Sequence, residues 1–317
     1  SRAGKGARGL GLMNALFNVY KPRGPTSHDV VARLRRASGV RRIGHAGTLD
    51  PLAEGVLVVA AGQATRLIEY LTDADKAYLA EVTFGVETDT YDAEGQVVAE
   101  RPVEDLQRSD VEAALAAFRG MIEQRPPAYS AVSVGGRRLY DLARRGQAVE
   151  APVRIVEITQ LELVACQPPL AKLRVECSKG TYVRSLAHDL GRALGCGAHL
   201  SGLVRLRAGG FLAHNATPLS ELEERMRDGR WQAVAIPPDA AVAHLMAVQL
   251  DDASAERLSN GLPIPAEGNL DVASSMPSGT LGRVYAADGR FVAVARLVRL
   301  GERGGRLVWK PEKVFRA

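Results

Sequence analysis

The chain has 317 residues, 46% of them hydrophobic and 24% charged, with a formal net charge of +5 and an isoelectric point near 9.2. That balance supplies enough apolar material for a packed core and excludes disorder for most of the chain. No apolar run approaches the roughly 18 residues that would suggest a membrane span.

The charge is uneven. Residues 1–49 carry ten Lys/Arg against the single acid Asp29, and residues 281–317 carry nine against three, so the stretch between them is acidic. Two basic ends on an acidic body fit either an anionic polymer held at two places or a set of solvated surface arginines. The three cysteines, Cys166, Cys177 and Cys196, form no CxxC pair, which argues against a disulfide scaffold or a zinc site. Free thiols fit a reducing cytoplasm.

In chain order, residues 1–13 hold Arg2, Lys5 and Arg8 but no apolar core like that of a signal peptide, and are expected to be a flexible leader. Leu16 to Tyr20 reads as a short strand. Thr26 or Ser27 can cap a helix with Val30, Val31 and Leu34 on one face and Gly39 as its stop. RRIGHAGTLDPLAEG comes next and reads as a loop, because its glycines and proline oppose regular structure. It feeds the apolar run Val56 to Ala61, expected as a buried strand. Tyr78 to Phe84 alternates like a half-buried strand. Ser109 and Glu112 have the spacing of a capping box for a helix ending near Gly120. QRPPAYSAV reads as a proline-broken loop, and Leu173 to Cys177 as a strand. From Thr181, the residues Val183, Leu186, Ala187, Leu190 and Leu194 mark one helical stripe, which leaves Tyr182, Arg184, Ser185 and Asp189 off it.

At Pro237-Pro238 the texture changes to short β-like runs and frequent glycines, with one helix ending at Asn260-Gly261. The alternation before that point argues for an α+β or mixed-sheet core. The C-terminal stretch from residue 238 has the size of a small β-rich domain. The expected division is 1–13 leader, 14–237 main domain and 238–317 small domain.

Asp50 stands out as a carboxylate in a glycine-rich loop beside a buried strand, where Gly44 and Gly47 let a backbone come close to a ligand. Alone, Asp-Pro is ordinary turn chemistry. Four segments change its weight: KPRGPTSHDVV (21–31), RRIGHAGTLDPLAEGVL (41–57), KAYLAEVTFGVETDTYDAEG (76–95) and CSKGTYVRSLAHDLG (177–191). Together with QRPPAYSAV and GCGAHLSGLVRLRAGGF they resemble, in order, the motifs of the bacterial tRNA pseudouridine synthase B family.

The resemblance implies a central mixed, mainly antiparallel sheet flanked by helices, with a small C-terminal PUA-like RNA-binding domain, matched most clearly by LVWKPEKVF. It implies isomerisation of the T-loop uridine of tRNA to pseudouridine on a flipped-out base. In that reading Asp50 is the catalytic carboxylate, as nucleophile or as base, and Arg184 is its paired arginine. Tyr78 stacks on the target base, Tyr182 and Leu203 line the uracil pocket, and His45 fills the gap that the flipped base leaves. Lys21 falls in a matched motif as a further substrate-binding residue. Arg42, Arg137, Arg138, Lys179 and Arg205 are candidate RNA contacts, since basic side chains in nucleic-acid binders mostly touch phosphate. Ser133 stands where relatives usually carry lysine, so a phosphate or positioning contact there is expected to be missing or replaced by Arg137 or Arg138.

No metal, nucleotide or redox cofactor is implied, and none has a motif. The expected partner is the T arm of tRNA, met by a monomer in the cytoplasm with no protein partner and no membrane. Two alternatives remain open on sequence: a guide-RNA-dependent synthase, and a tRNA-folding chaperone without essential chemistry.

Overall fold

The computed structural model describes residues 13–130, 133–134, 137–138, 151–266, 276–301 and 305–316. The expected leader thus lies outside the described residues, apart from Met13.

The chain opens with β1 (Ala15–Lys21), α1 (Ser27–Ser38), β2 (Ile43–Ala46), β3 (Ala53–Ala61), α2 (Ile68–Thr72), β4 (Lys76–Phe84), and the paired strands β5 (Val86–Thr88) and β6 (Val97–Glu100). Next come α3 (Arg108–Leu115), β7 (Gly120–Gln124), the short pair β8 (Ser133–Val134) and β9 (Arg137–Arg138), then the long strands β10 (Arg154–Gln167) and β11 (Leu170–Cys177). The first part closes with α4 (Val183–Ala193), β12 (Ala198–Ala208), β13 (Phe211–Leu212), β14 (Thr217–Pro218) and α5 (Leu219–Arg227).

Ten of these strands form one sheet with the path β14-β1-β3-β12-β4-β11-β10-β7, β2 pairing with β3 and β13 with β12. Only the β1–β14 and β3–β12 pairs are parallel. The sheet is therefore mixed and mainly antiparallel, flanked by helices.

β3 shows why its sequence is apolar throughout. Leu57, Val59 and Ala61 face one core, with Val30, Leu34, Val111, Leu186 and Leu222 of the helices. Val56, Val58 and Ala60 face a second, with Leu67, Val242, Val294 and Phe315. A strand buried on both faces reads as a continuous run rather than an alternation.

A second sheet lies C-terminal to these elements, ordered β15 (Met246–Gln249), β17 (Leu281–Tyr285), β18 (Phe291–Leu300), β19 (Arg306–Val314) and β16 (Ile264–Pro265), with α6 (Asp252–Ser259) against it. Its own core centres on Trp309, Val284, Leu297 and Leu258. Val294 and Phe315 turn the other way and seal the outer face of the large sheet. Among the described residues no helix is long and apolar enough to cross a membrane.

Three local expectations change. Ile43–Ala46 is a strand, paired with Val58–Ala61, although its glycine suggests a loop. The helix after residue 105 starts at Arg108, because Asp110, and not Glu112, reaches back to the Gln107 N–H at 2.9 Å. α3 ends at Leu115 and a 3-10 turn, Ala116–Phe118, carries the chain toward Gly120. In α4 burial extends beyond the apolar stripe, since Arg184, Ser185 and His188 are all buried.

Candidate active site

The segment between β2 and β3 carries Asp50 and is braced from three elements. Ser27, in the first turn of α1, both receives the Leu49 N–H at 2.8 Å and donates to the Leu49 carbonyl at 3.0 Å. Thr26 caps that helix through a reciprocal pair with Asp29. Lys21, at the end of β1, donates to the Ala53 carbonyl at 2.6 Å. From β12, Arg205 sends Nε to the Val56 carbonyl at 2.6 Å and Nη2 to the Gly47 carbonyl at 2.9 Å. These ties hold the segment and the start of β3 that follows it.

Asp50 is thereby presented at the floor of a cleft of about 480 Å3, with 39% of its side chain open. Its Oδ2 meets Arg184 Nε at 3.1 Å. Arg184 is the second residue of α4 and only 8% of its side chain is exposed. Its remaining nitrogens go elsewhere. Nη1 donates to Asp92 Oδ2 and to the Thr90 carbonyl, both at 3.3 Å, and Nη2 to the Tyr129 carbonyl at 3.1 Å. The guanidinium thus does not grip Asp50 with two prongs. It bridges three segments that are far apart in sequence.

Burial raises the Asp50 carboxyl above its ordinary value, and the nearby negative Asp92 adds to this, against the pull of Arg184, Lys21 and Arg205. One arginine shared by two carboxylates cannot fully compensate either of them. Asp92 is itself buried, accepting from Thr90 Oγ1 at 2.6 Å and from the Glu94 N–H at 3.1 Å.

Six of the expected residues line the cleft with Asp50: Tyr78, Tyr182, Leu203, Arg184, Lys179 and Arg205. Tyr78 lies on β4 between Val175 and Arg205 of the flanking strands. Its phenol is pushed up by burial and takes a hydrogen bond from Arg205. Tyr182 caps α4, its main chain clamped by Gln124 through bonds of 2.7 and 3.0 Å. Leu203 sits on β12 between Ala53 and Ala80.

His45, Lys21 and the basic residues play other parts. His45 is on β2, outside the cleft lining, its ring edge-on to His28 at 6.3 Å, and burial lowers it to about 4. Lys21 has no exposed surface; it stands behind Asp50 rather than in the cleft, and burial lowers its ammonium to about 8. Arg205, expected on the RNA-facing surface, is 1% exposed because its guanidinium is held by loop carbonyls. It is a brace. Lys179 remains on the rim, paired with Asp73 at 2.9 Å, and Arg42 is exposed, donating to Thr65 at 2.7 Å. Ser133, Arg137 and Arg138 fall in the β8–β9 pair, and their side chains lie outside the described residues.

Residues that were not anticipated also enter the site, Asp92 and Lys76 among them. Asp92 reads in sequence as part of a separate turn, yet it joins Arg184. Lys76 lines the cleft, its ammonium turned onto the Thr72 and Ala74 carbonyls and lowered to about 8 by burial. The motif segment at 76–95 contains both, which is the one signal that could have found them.

A model described as the TruB family pseudouridylate synthase N-terminal domain matches residues 35–183, and one for the tRNA pseudouridylate synthase B C-terminal domain matches residues 184–243. A protein of Dehalococcoides mccartyi named tRNA pseudouridine synthase B is 43% identical over 96% of this chain and 97% of its own length. The chain belongs to the TruB family. A TruB protein of Moorella thermoacetica, also named tRNA pseudouridine synthase B, is 44% identical over 96% of this chain and 100% of its own. One of Symbiobacterium thermophilum is 51% identical over 79% and 83%. Among solved structures, a Cbf5-Nop10-Gar1 complex contains a chain similar to this one, with a TM-score of 0.73, 28% identity, and coverage of 96% of this chain and 86% of that one. The two TruB models meet inside α4, between Val183 and Arg184, and the second sheet lies beyond both.

Proposed function

We propose that this chain isomerises the T-loop uridine of tRNA (position 55 in tRNA numbering) to pseudouridine, with Asp50 as the catalytic carboxylate. The observation that carries this reading is Asp50 held against Arg184 at the floor of an open cleft walled by Tyr78, Tyr182 and Leu203. The reaction breaks the N1–C1′ bond, turns the uracil, joins C5 to C1′ and releases the C5 proton while N1 gains one. A carboxylate beside C1′ can attack it, or stabilise its positive charge and assist proton removal. The aromatic and aliphatic walls suit a flat base taken out of its stack. The base would lie against Tyr78, and His45 would occupy the space it leaves. Arg42, Lys179 and the Arg137–Arg138 hairpin would meet phosphates.

The substrate is met by a cytoplasmic monomer without guide RNA, through a catalytic domain at 14–237 and a PUA-like RNA-binding domain at 238–317. The close relatives bear the name tRNA pseudouridine synthase B. Assembly with partner proteins has support only from the likeness to the Cbf5 complexes, at 28% identity or below. The test is to incubate the pure protein with unmodified tRNA and map pseudouridine at each position. A single new pseudouridine in the T loop is expected. Modification elsewhere, or only when guide RNA is added, contradicts the proposal.

A further inference from the structure

Thr90 and Asp92 both grip Arg184, and the residue between them has an unusual backbone. Tyr91 has φ +64°, the one positive value at a non-glycine position among the described residues. An aromatic residue in the left-handed region is strained and persists only where its surroundings over-determine it. The surroundings here are specific. Tyr91 N–H donates to the Thr88 carbonyl at 3.2 Å, and its own carbonyl accepts from the Leu200 N–H at 3.0 Å. Its ring stacks on that of His188, with centroids 3.8 Å apart and planes within 10°.

His188 lies four residues after Arg184 on α4, one turn along the same face. It is 8% exposed, and its buried Nδ1 has no hydrogen-bond partner, so what that nitrogen forgoes is not repaid by a polar tie. Its ring face is engaged instead. One helical face thus touches the 90–92 segment twice: Arg184 through Thr90 and Asp92, and His188 through Tyr91.

We propose that the Tyr91–His188 stack is a positioning device for catalysis, locking the 90–92 segment in the left-handed turn that aims the Thr90 carbonyl and the Asp92 carboxylate at Arg184, and so setting the angle at which Arg184 meets Asp50. Neither ring lines the cleft. They act through Arg184. The inference rests on the proposed function of Asp50 and deepens it.

The position offers a clean test, because glycine fits φ +64° without strain. Tyr91→Gly keeps the turn accessible and removes the ring; Tyr91→Phe keeps the ring. Single-turnover rates on unmodified tRNA are measured at saturating enzyme, below the unfolding midpoint of each variant, across a pH series. Wild-type turnover is the control that reports on the functional reading by itself. Tyr91→Gly and His188→Ala are each expected to lose on the order of tenfold in rate, as a sub-ångström to ångström shift of a catalytic pair would cause. Their tRNA dissociation constants stay within about twofold, because phosphate contacts dominate affinity.

The acid limb of the rate profile is expected to move to higher pH in both. Arg184 then pulls less on Asp50, while burial, Asp92, Lys21 and Arg205 still act on it. Tyr91→Phe restores both rate and limb, and the double variant is no worse than the poorer single, as expected for two groups acting as one unit. An active wild type with Tyr91→Gly unchanged in rate and limb overturns the inference. So does Tyr91→Phe as impaired as Tyr91→Gly, or additive losses in the double variant.

Discussion

Arg184 does more than neutralise a charge. Its Nε touches Asp50 while its two terminal nitrogens hold Asp92, the Thr90 carbonyl and the Tyr129 carbonyl. An ammonium has one nitrogen and cannot span these acceptors. Arg184→Lys is therefore expected to lose at least about tenfold in single-turnover rate although the charge is kept, on the scale of a misaligned catalytic group; near-normal turnover would show that only its charge matters. The Asp50 carboxyl is raised above the ordinary range by burial. If its ionised form is the reactive one, the rate falls as pH drops through that raised value, with a midpoint above the roughly 3.9 of a free aspartate. His45, lowered to about 4 by burial, is neutral throughout the neutral range. A pH series of single-turnover rates checks this. Asp50 and Arg184 were legible in the sequence through long ordered motifs. Asp92 was not, because it meets Arg184 across 92 residues and no local pattern reports such a contact.

At the scale of elements, the site is a loop tied to three neighbours, and its rigidity depends on close backbone approach. Gly55 has φ +98°, and a Cβ there would stand 2.4 Å from the Arg205 carbonyl oxygen. Gly55→Ala is expected to cost about 1–3 kcal/mol from the backbone conformation alone, with more from the clash on β12, and to lower both the thermal midpoint and the rate. An unchanged midpoint would mean that the β3–β12 pairing yields easily. The strands were largely readable from their patterns, since β4 alternates as expected and β3 is the continuous apolar run of a strand buried on both faces. Two misreadings have physical causes. β2 pairs through its backbone, so Gly44 does not interrupt it, and the capping signal two residues earlier, at Gln107 and Asp110, outcompeted the one at Ser109 and Glu112.

Among the described residues the two largest sheets meet through Val294 and Phe315, which pack in the core on the outer face of the ten-stranded one. Removing the second sheet would bare Leu16, Val56 and Val58, so single charges test its role more cleanly than deletion. Arg299 and Lys310 are exposed on β18 and β19. The double change to alanine is expected to weaken tRNA binding and to flatten its salt dependence by about one unit of slope for each phosphate no longer neutralised, while the rate at saturating enzyme stays as it was. Unchanged affinity and slope would remove this surface from the RNA interface. The basic ends visible in the sequence pointed to such contacts, but charge alone could not tell Arg205, buried as a brace, from Lys179 on the rim.

The most direct test of the central claim pairs two readings on Asp50→Asn: pseudouridine formed per enzyme at the T-loop uridine, and the tRNA dissociation constant at fixed salt. The change is nearly isosteric, and phosphate contacts rather than Asp50 dominate affinity. The prediction is no pseudouridine with binding equal to or slightly tighter than wild type, as a negative charge leaves a site that faces RNA. Turnover retained by Asp50→Asn would contradict the account.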